Sequence, residues 1–224
     1  MTAVPPATPS RRRSTVGRVV AGTAAVASAA ALAGAAARWP AAAAPAPYVR
    51  RGRFDRPLPL LSLRRLDGLL RARAGERLLE IGPGSGRQAL HVAPQLGREG
   101  RLDIVDVRHR ALDRVVRRAA GSGIGTIVPC LADVHHLPFG DAVFDAAYLV
   151  TVLGELPAPT GTLAELRRVL KPGGRLVVGE CFHRHQLRVP ALAAHAARAG
   201  LRVEALSGPS FAYFALLQPL PGRR

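Results

Sequence analysis

The chain has 224 residues, 32 of them basic and 15 acidic, for a formal charge of +17. That length suits one sizeable α/β domain with an appendage. The two cysteines, Cys130 and Cys181, have neither metal-ligand nor disulfide-framework spacing, which excludes a disulfide scaffold and predicts two small buried hydrophobes in a reducing compartment.

Lys171 is the only lysine, so the charge is almost all arginine. Nine arginines fall in the first 56 residues beside a single acid, Asp55. The remaining 23 basic and 14 acidic residues keep the body basic as well. The plain reading is a solvated arginine-rich surface; the functional one is an anionic substrate or membrane surface.

Residues 1–15, rich in Pro, Ser, Thr and Arg, are expected to be disordered. Residues 19–37 carry no charge and are mostly alanine. Three readings stand: a membrane or signal-anchor helix, a cleaved secretory signal, or a low-complexity tail. Arginines flank the segment on both sides, so charge asymmetry does not set a topology. Residues 38–57, with four prolines and many alanines, read as a linker. The expected organisation is an Ala/Pro/Arg-rich tail over 1–57 and one catalytic domain over 58–219.

From residue 58 the pattern changes. Leucines at 60, 63, 66, 69 and 70 predict an amphipathic helix over 60–70. Strands and helices then alternate. Strands are predicted over 77–81, 102–107, 126–130, 143–150 and 175–181. Helices are predicted over 88–96, 111–120, 163–170 and 191–199. Two last strands, over 201–206 and 211–218, are separated by a short turn and predict an antiparallel closing hairpin. Alternation of this kind implies an α/β fold, doubly wound and mainly parallel.

In such a sheet, ligands bind beyond the carboxyl ends of the strands. The first strand ends in Glu80 and runs into Gly82-Pro83-Gly84-Ser85-Gly86. Glycines remove the Cβ where a backbone turns sharply and approaches a ligand. A carboxylate two residues before such a turn has no use against a pyrophosphate. It suits a cationic or hydroxyl-rich ligand, which points to S-adenosylmethionine. The second strand brings Asp106, a candidate acceptor for both ribose hydroxyls; Asp103, in mid-strand, is the weaker candidate. The third is followed by Asp133, a candidate acceptor for an adenine amino group, with the Val134 backbone against the ring edge. Each aspartate alone reads as a helix cap or turn residue. The three in this order reinforce one another.

With these residues the chain resembles the class I S-adenosylmethionine-dependent methyltransferases over about residues 60–218, in their small-molecule and quinone methyltransferase-like branch. The resemblance rests on residues 78–86, on Asp106, and on Ala132-Asp133 with Leu137-Pro138-Phe139 and Phe144-Asp145. It rests also on the run from Leu166 to Leu176, with its Lys171-Pro172-Gly173-Gly174 turn. It implies a Rossmann-like seven-stranded sheet with S-adenosyl-L-methionine as cofactor. Glu80 would lie near the methionine amino end, Asp106 on ribose, Asp133 on adenine, and Gly82, Gly84 and Gly86 beneath. An NAD site is disfavoured, because Arg87 stands where the third glycine of G-x-G-x-x-G would be.

The catalytic candidates follow the fourth and fifth strands: Glu155, Glu180, His183 and His185. Each also reads as a loop residue. His135-His136 lacks further ligands for a metal, so no metal is expected. Tyr148 and Tyr213 read as core, or as pocket lining. The expected function is methyl transfer to a small, lipid-like or quinone-like acceptor, from a cytoplasmic catalytic domain with residues 19–37 as a candidate membrane contact. Two alternatives are an RNA methyltransferase, suggested by charge but lacking an RNA-binding module, and a non-catalytic S-adenosylmethionine-binding protein.

Overall fold

Each apolar run becomes a strand, and the seven strands form one sheet in the computed structural model, which describes residues 61–181 and 185–220. They are β1 (Arg77–Ile81), β2 (Arg101–Asp106), β3 (Ile127–Leu131), β4 (Phe144–Val150), β5 (Leu170–Cys181), β6 (Leu201–Ser207) and β7 (Ala212–Pro219). Their order is β3-β2-β1-β4-β5-β7-β6. The pairs β1–β2, β1–β4, β2–β3 and β4–β5 are parallel. β7 runs antiparallel to both β5 and β6, so the closing hairpin inserts its second strand beside β5. The expected mainly parallel, doubly wound α/β sheet is the observed one.

The helices are α1 (Leu63–Leu70), α2 (Arg87–Val92), α3 (His109–Gly121), α4 (Pro159–Val169) and α5 (Val189–Arg198). Leu66 and Leu70 of α1, Ala89 and Val92 of α2, and Leu112 and Val115 of α3 pack on one face of the sheet. Leu163 and Leu166 of α4 and Leu192 and Ala196 of α5 pack on the other. Side chains on a strand alternate between faces. In β1, Leu78 therefore joins the α1–α3 layer, while Leu79 and Ile81 join the α4–α5 layer. Each fully buried leucine contributes about 2 kcal/mol by leaving water.

The three largest differences from the expected boundaries each have a local reason; the other ends shift by no more than three residues. The helix expected over 88–96 ends at Val92, and a 3-10 turn (Ala93–Leu96) continues it, with Pro94 in its first turn. The helix expected from 163 starts at Pro159, since a proline in the first turn forfeits no hydrogen bond. β5 begins before its glycine turn rather than after it: Leu170 pairs with Phe144, then Arg175 with Ala146, and the residues between bulge out. Lys171 closes the bulge through an ion pair with Asp145 (2.7 Å). Cys181 is buried as expected, but Cys130 is only half-buried, its thiol pushed up to about 11 chiefly by burial.

The Leu137–Phe139 segment is held at the opposite edge from the strands' carboxyl ends. Arg168 of α4 donates to the carbonyls of Phe139 (2.9 Å) and Leu137 (3.3 Å) while it pairs with Glu165. Phe139 meets Phe144 edge to face at 4.9 Å, and the Arg77 guanidinium lies 5.0 Å from the Phe144 ring centre. Phe144 and Arg77 start their strands, so this part of the family resemblance is architectural. Among the described residues no helix is long and apolar enough to cross a membrane. Residues 19–37, and the whole tail over 1–57, lie outside the described residues.

Candidate active site

Glu80, Asp106 and Asp133 fall where β1, β2 and β3 end or have just ended. Adjacent parallel strands put their carboxyl ends on one edge, so the three acids share the edge that carries the glycine turn. The turn leaves β1 with Gly82, Gly84 and Gly86 all at positive φ (+64°, +56° and +81°). These are left-handed conformations that side chains disfavour. The surroundings differ. A Cβ on Gly82 would lie 2.7 Å from the Val152 side chain, and one on Gly86 would lie 2.9 Å from that of Val115. A Cβ on Gly84 would meet nothing closer than the Gly82 carbonyl at 4.0 Å. Gly84 faces open space, as a loop that receives a ligand should.

Glu80 is 2% exposed. The parallel register sets it directly beside Tyr148 of β4, whose hydroxyl donates to Glu80 Oε2 at 2.9 Å. Burial pushes the Glu80 carboxyl up to about 8, and the Tyr148 bond offsets only part of that rise. The Tyr148 phenol is raised in turn, by burial first and then by the charge of Glu80. Tyr148 is thus core, as one reading had it, but with a hydroxyl committed to the site. Tyr213 is buried core, its hydroxyl donating to the Leu187 carbonyl.

Asp106 and Asp133 are held by the same local device. In each, the backbone N–H two residues on donates to Oδ1: Arg108 N at 2.9 Å and His135 N at 3.0 Å. The side chain at that position then turns back on the carboxylate. Arg108 donates from Nε to Oδ1 and from a terminal nitrogen to Oδ2, both at 3.0 Å. His135 Nδ1 lies 2.7 Å from Asp133 Oδ1, and its Nε2 lies 3.2 Å from the buried Thr162 hydroxyl of α4. Both ring nitrogens of His135 are therefore taken, and Val134 between them is buried. Asp103, the weaker candidate, is buried mid-strand and paired with Arg77 at 2.8 Å and with Arg101, a structural role.

The catalytic candidates converge beyond β4 and β5. Glu155 closes a 3-10 turn (Leu153–Glu155), and the buried Glu180 accepts the Gly154 N–H at 3.1 Å. Gly154 lets the His185 carbonyl pack where a Cβ would collide with it. Glu155, Glu180 and His185 thus share one corner; His183 lies outside the described residues. Thr151 opens this corner at φ +56°, an outlier for a β-branched residue. Sequence reasoning missed Thr151, Arg108 and the His135–Thr162 contact. Only the D-x-R and D-x-H spacing hinted at the last two.

A family model described as a methyltransferase domain matches residues 79–178. The 27-O-demethylrifamycin SV methyltransferase of Amycolatopsis mediterranei is 33% identical over 117 residues, covering 52% of this chain and 42% of that protein. The ubiquinone/menaquinone biosynthesis C-methyltransferase UbiE of Ralstonia nicotianae is 38% identical over 109 residues, covering 48% of this chain and 44% of that protein. The chain thus spans less than half the length of these curated relatives. Among solved structures, an S-adenosylmethionine-dependent methyltransferase from Aquifex aeolicus superposes with a TM-score of 0.62 at 19% identity, over 70% of this chain and 89% of that one. The [4+2]-cyclase SpnF superposes with a TM-score of 0.61 at 21% identity, over 71% of this chain and 79% of that one. At such identities the likeness is one of fold alone, and the cyclase illustrates that a fold does not name a reaction. Residues 79–178 thus match a methyltransferase domain, and the sheet around them has the fold of the S-adenosylmethionine-dependent methyltransferases.

Proposed function

We propose that this domain moves a methyl group from S-adenosylmethionine to a small, apolar or quinone-like acceptor. The observation that carries the reading is the row of Glu80, Asp106 and Asp133 along one sheet edge, beside the open face of Gly84. The quinone-like element rests on the printed activity of the UbiE relatives and is the finer part of the proposal.

The donor, when bound, supplies a methyl carbon activated by a sulfonium centre. Glu80 offers a carboxylate to a cationic amino group. Asp106 offers oxygens to a pair of hydroxyls. Asp133 keeps Oδ2 clear of hydrogen bonds among the described residues, so it accepts from an adenine amino group without rearrangement. The Val134 backbone reads the ring edge. Gly84 lets the main chain approach closely. Alignment of nucleophile, methyl and leaving sulfur supplies most of the acceleration in such a transfer. Where the acceptor must lose a proton, Glu155 and His185 stand at the corner from which it would be taken.

Titration of the full chain with S-adenosylhomocysteine tests the reading. One molecule should bind per chain with a micromolar Kd, and absence of heat would sink the proposal. The donor is a cytosolic metabolite, so we place the domain on the cytoplasmic side, with residues 19–37 as a candidate membrane contact. That contact predicts that the full chain sediments with membrane vesicles; a chain left wholly in the supernatant refutes it.

A further inference from the structure

We infer that Arg108 competes with the ribose of the cofactor for Asp106. The inference rests on the cofactor reading above. Asp106 is 6% exposed, and its carboxylate has about four acceptor positions. Three are filled by Arg108: the backbone N–H and Nε on Oδ1, and a terminal nitrogen on Oδ2. A fork that meets both oxygens is the strong arrangement of a guanidinium and a carboxylate. It holds the Arg108 charge more firmly than usual, first through these bonds to Asp106. One acceptor position remains, on Oδ2, where a ribose presents two hydroxyls. Asp106 therefore receives the whole diol only after the guanidinium swings away.

Asp133 supplies the contrast within the same molecule. It has the same backbone bond from the second residue on, and a basic side chain turned back on it, yet His135 reaches Oδ1 alone. The ring of His135 is braced from behind by Thr162 and stays as it is when Oδ2 accepts a ligand. The Arg108 side chain is about one-third exposed, whereas that of Asp106 is buried. Arg108 also sits at the N-cap of α3 without capping the helix through its side chain, so a residue with a helix-starting preference was forgone there. The guanidinium is turned to Asp106 rather than to the helix.

Arg108→Ser is the informative variant, because serine restores a capping hydroxyl to α3 while withdrawing the fork. It should bind S-adenosylhomocysteine about tenfold more tightly than the wild type, as one charge-assisted contact no longer has to be broken. Arg108→Lys, which keeps the charge and loses the fork, should fall between the two. In an Asp106→Asn background the gain from Arg108→Ser should vanish, since both changes act on one contact. Unchanged or weaker binding by Arg108→Ser overturns the inference, and weaker binding would make Arg108 a cofactor contact instead. A wild-type chain and an Arg108→Ser chain that both ignore S-adenosylhomocysteine would overturn the cofactor reading itself.

Discussion

Glu80→Gln should make the domain more stable by about 3 kcal/mol at pH 7 and about 4 kcal/mol at pH 8, and indistinguishable from the wild type near pH 4. The sign follows from the proton count. Glu80 titrates at its ordinary 4.5 in the unfolded chain and at about 8 in the fold. Between those values the unfolded chain has lost the proton that the fold retains, so stability falls as pH rises, by about 1.4 kcal/mol per pH step. Glu80's favourable contribution is complete below 4.5 and fully lost above about 8. Glutamine keeps an oxygen for the Tyr148 hydroxyl and removes the titration. Urea midpoints for both proteins at pH 5 and pH 8 measure the difference. Parallel midpoints at the two pH values would mean that Glu80 is ionised in the fold and that its burial is compensated.

The same carboxyl gives a binding signature. A buried neutral acid that meets a cationic amino group ionises, because an opposite charge nearby favours the charged form. Binding of S-adenosylhomocysteine at pH 7 should then release up to one proton, read as a dependence of the titration heat on the buffer's ionisation enthalpy. Glu80→Gln should release none and bind more weakly. A position that costs stability while empty and improves binding when filled is the usual trade of an active site.

Much of this site was legible in the residues, and what was not has a common cause. Strand ends were readable because parallel strands buried on both faces are unbroken apolar runs: β1 falls on residues 77–81 as expected. The three acids were readable because each stands within two residues of the end of such a run. Their partners lie across the sheet or depend on a rotamer. Tyr148 is 68 residues from Glu80 and meets it only through the β1–β4 register. Arg108 and His135 are two residues from their aspartates, but spacing alone does not say that one side chain covers both carboxylate oxygens and the other a single one. The start of β5 was misplaced for a related reason. Pro172, Gly173 and Gly174 signal a turn locally, whereas the pairing of Leu170 with Phe144 is a long-range fact.

The three glycines of the turn should separate when each is changed to alanine. All three sit at positive φ, so each alanine bears a backbone cost of about 1 kcal/mol. For Gly84→Ala that should be nearly the whole cost, since its Cβ enters open space. For Gly82→Ala and Gly86→Ala it should not. Their methyls would press on Val152 and Val115, buried β-branched side chains with little freedom to turn away. Overpacking there should raise the total to about 3 kcal/mol. Binding should rank the variants in the other order. Gly84→Ala fills the space a ligand's approach requires and should lose S-adenosylhomocysteine affinity by at least about tenfold at nearly unchanged stability. Gly86→Ala should recover part of its lost stability when Val115 is also made alanine, because the second change removes the atoms the first one meets. Urea unfolding and calorimetric titration of the four variants measure both axes. Gly84→Ala binding S-adenosylhomocysteine like the wild type would detach the glycine turn from the cofactor. Equal stability losses at all three positions would mean that the fold, rather than a ligand, requires the whole run of glycines.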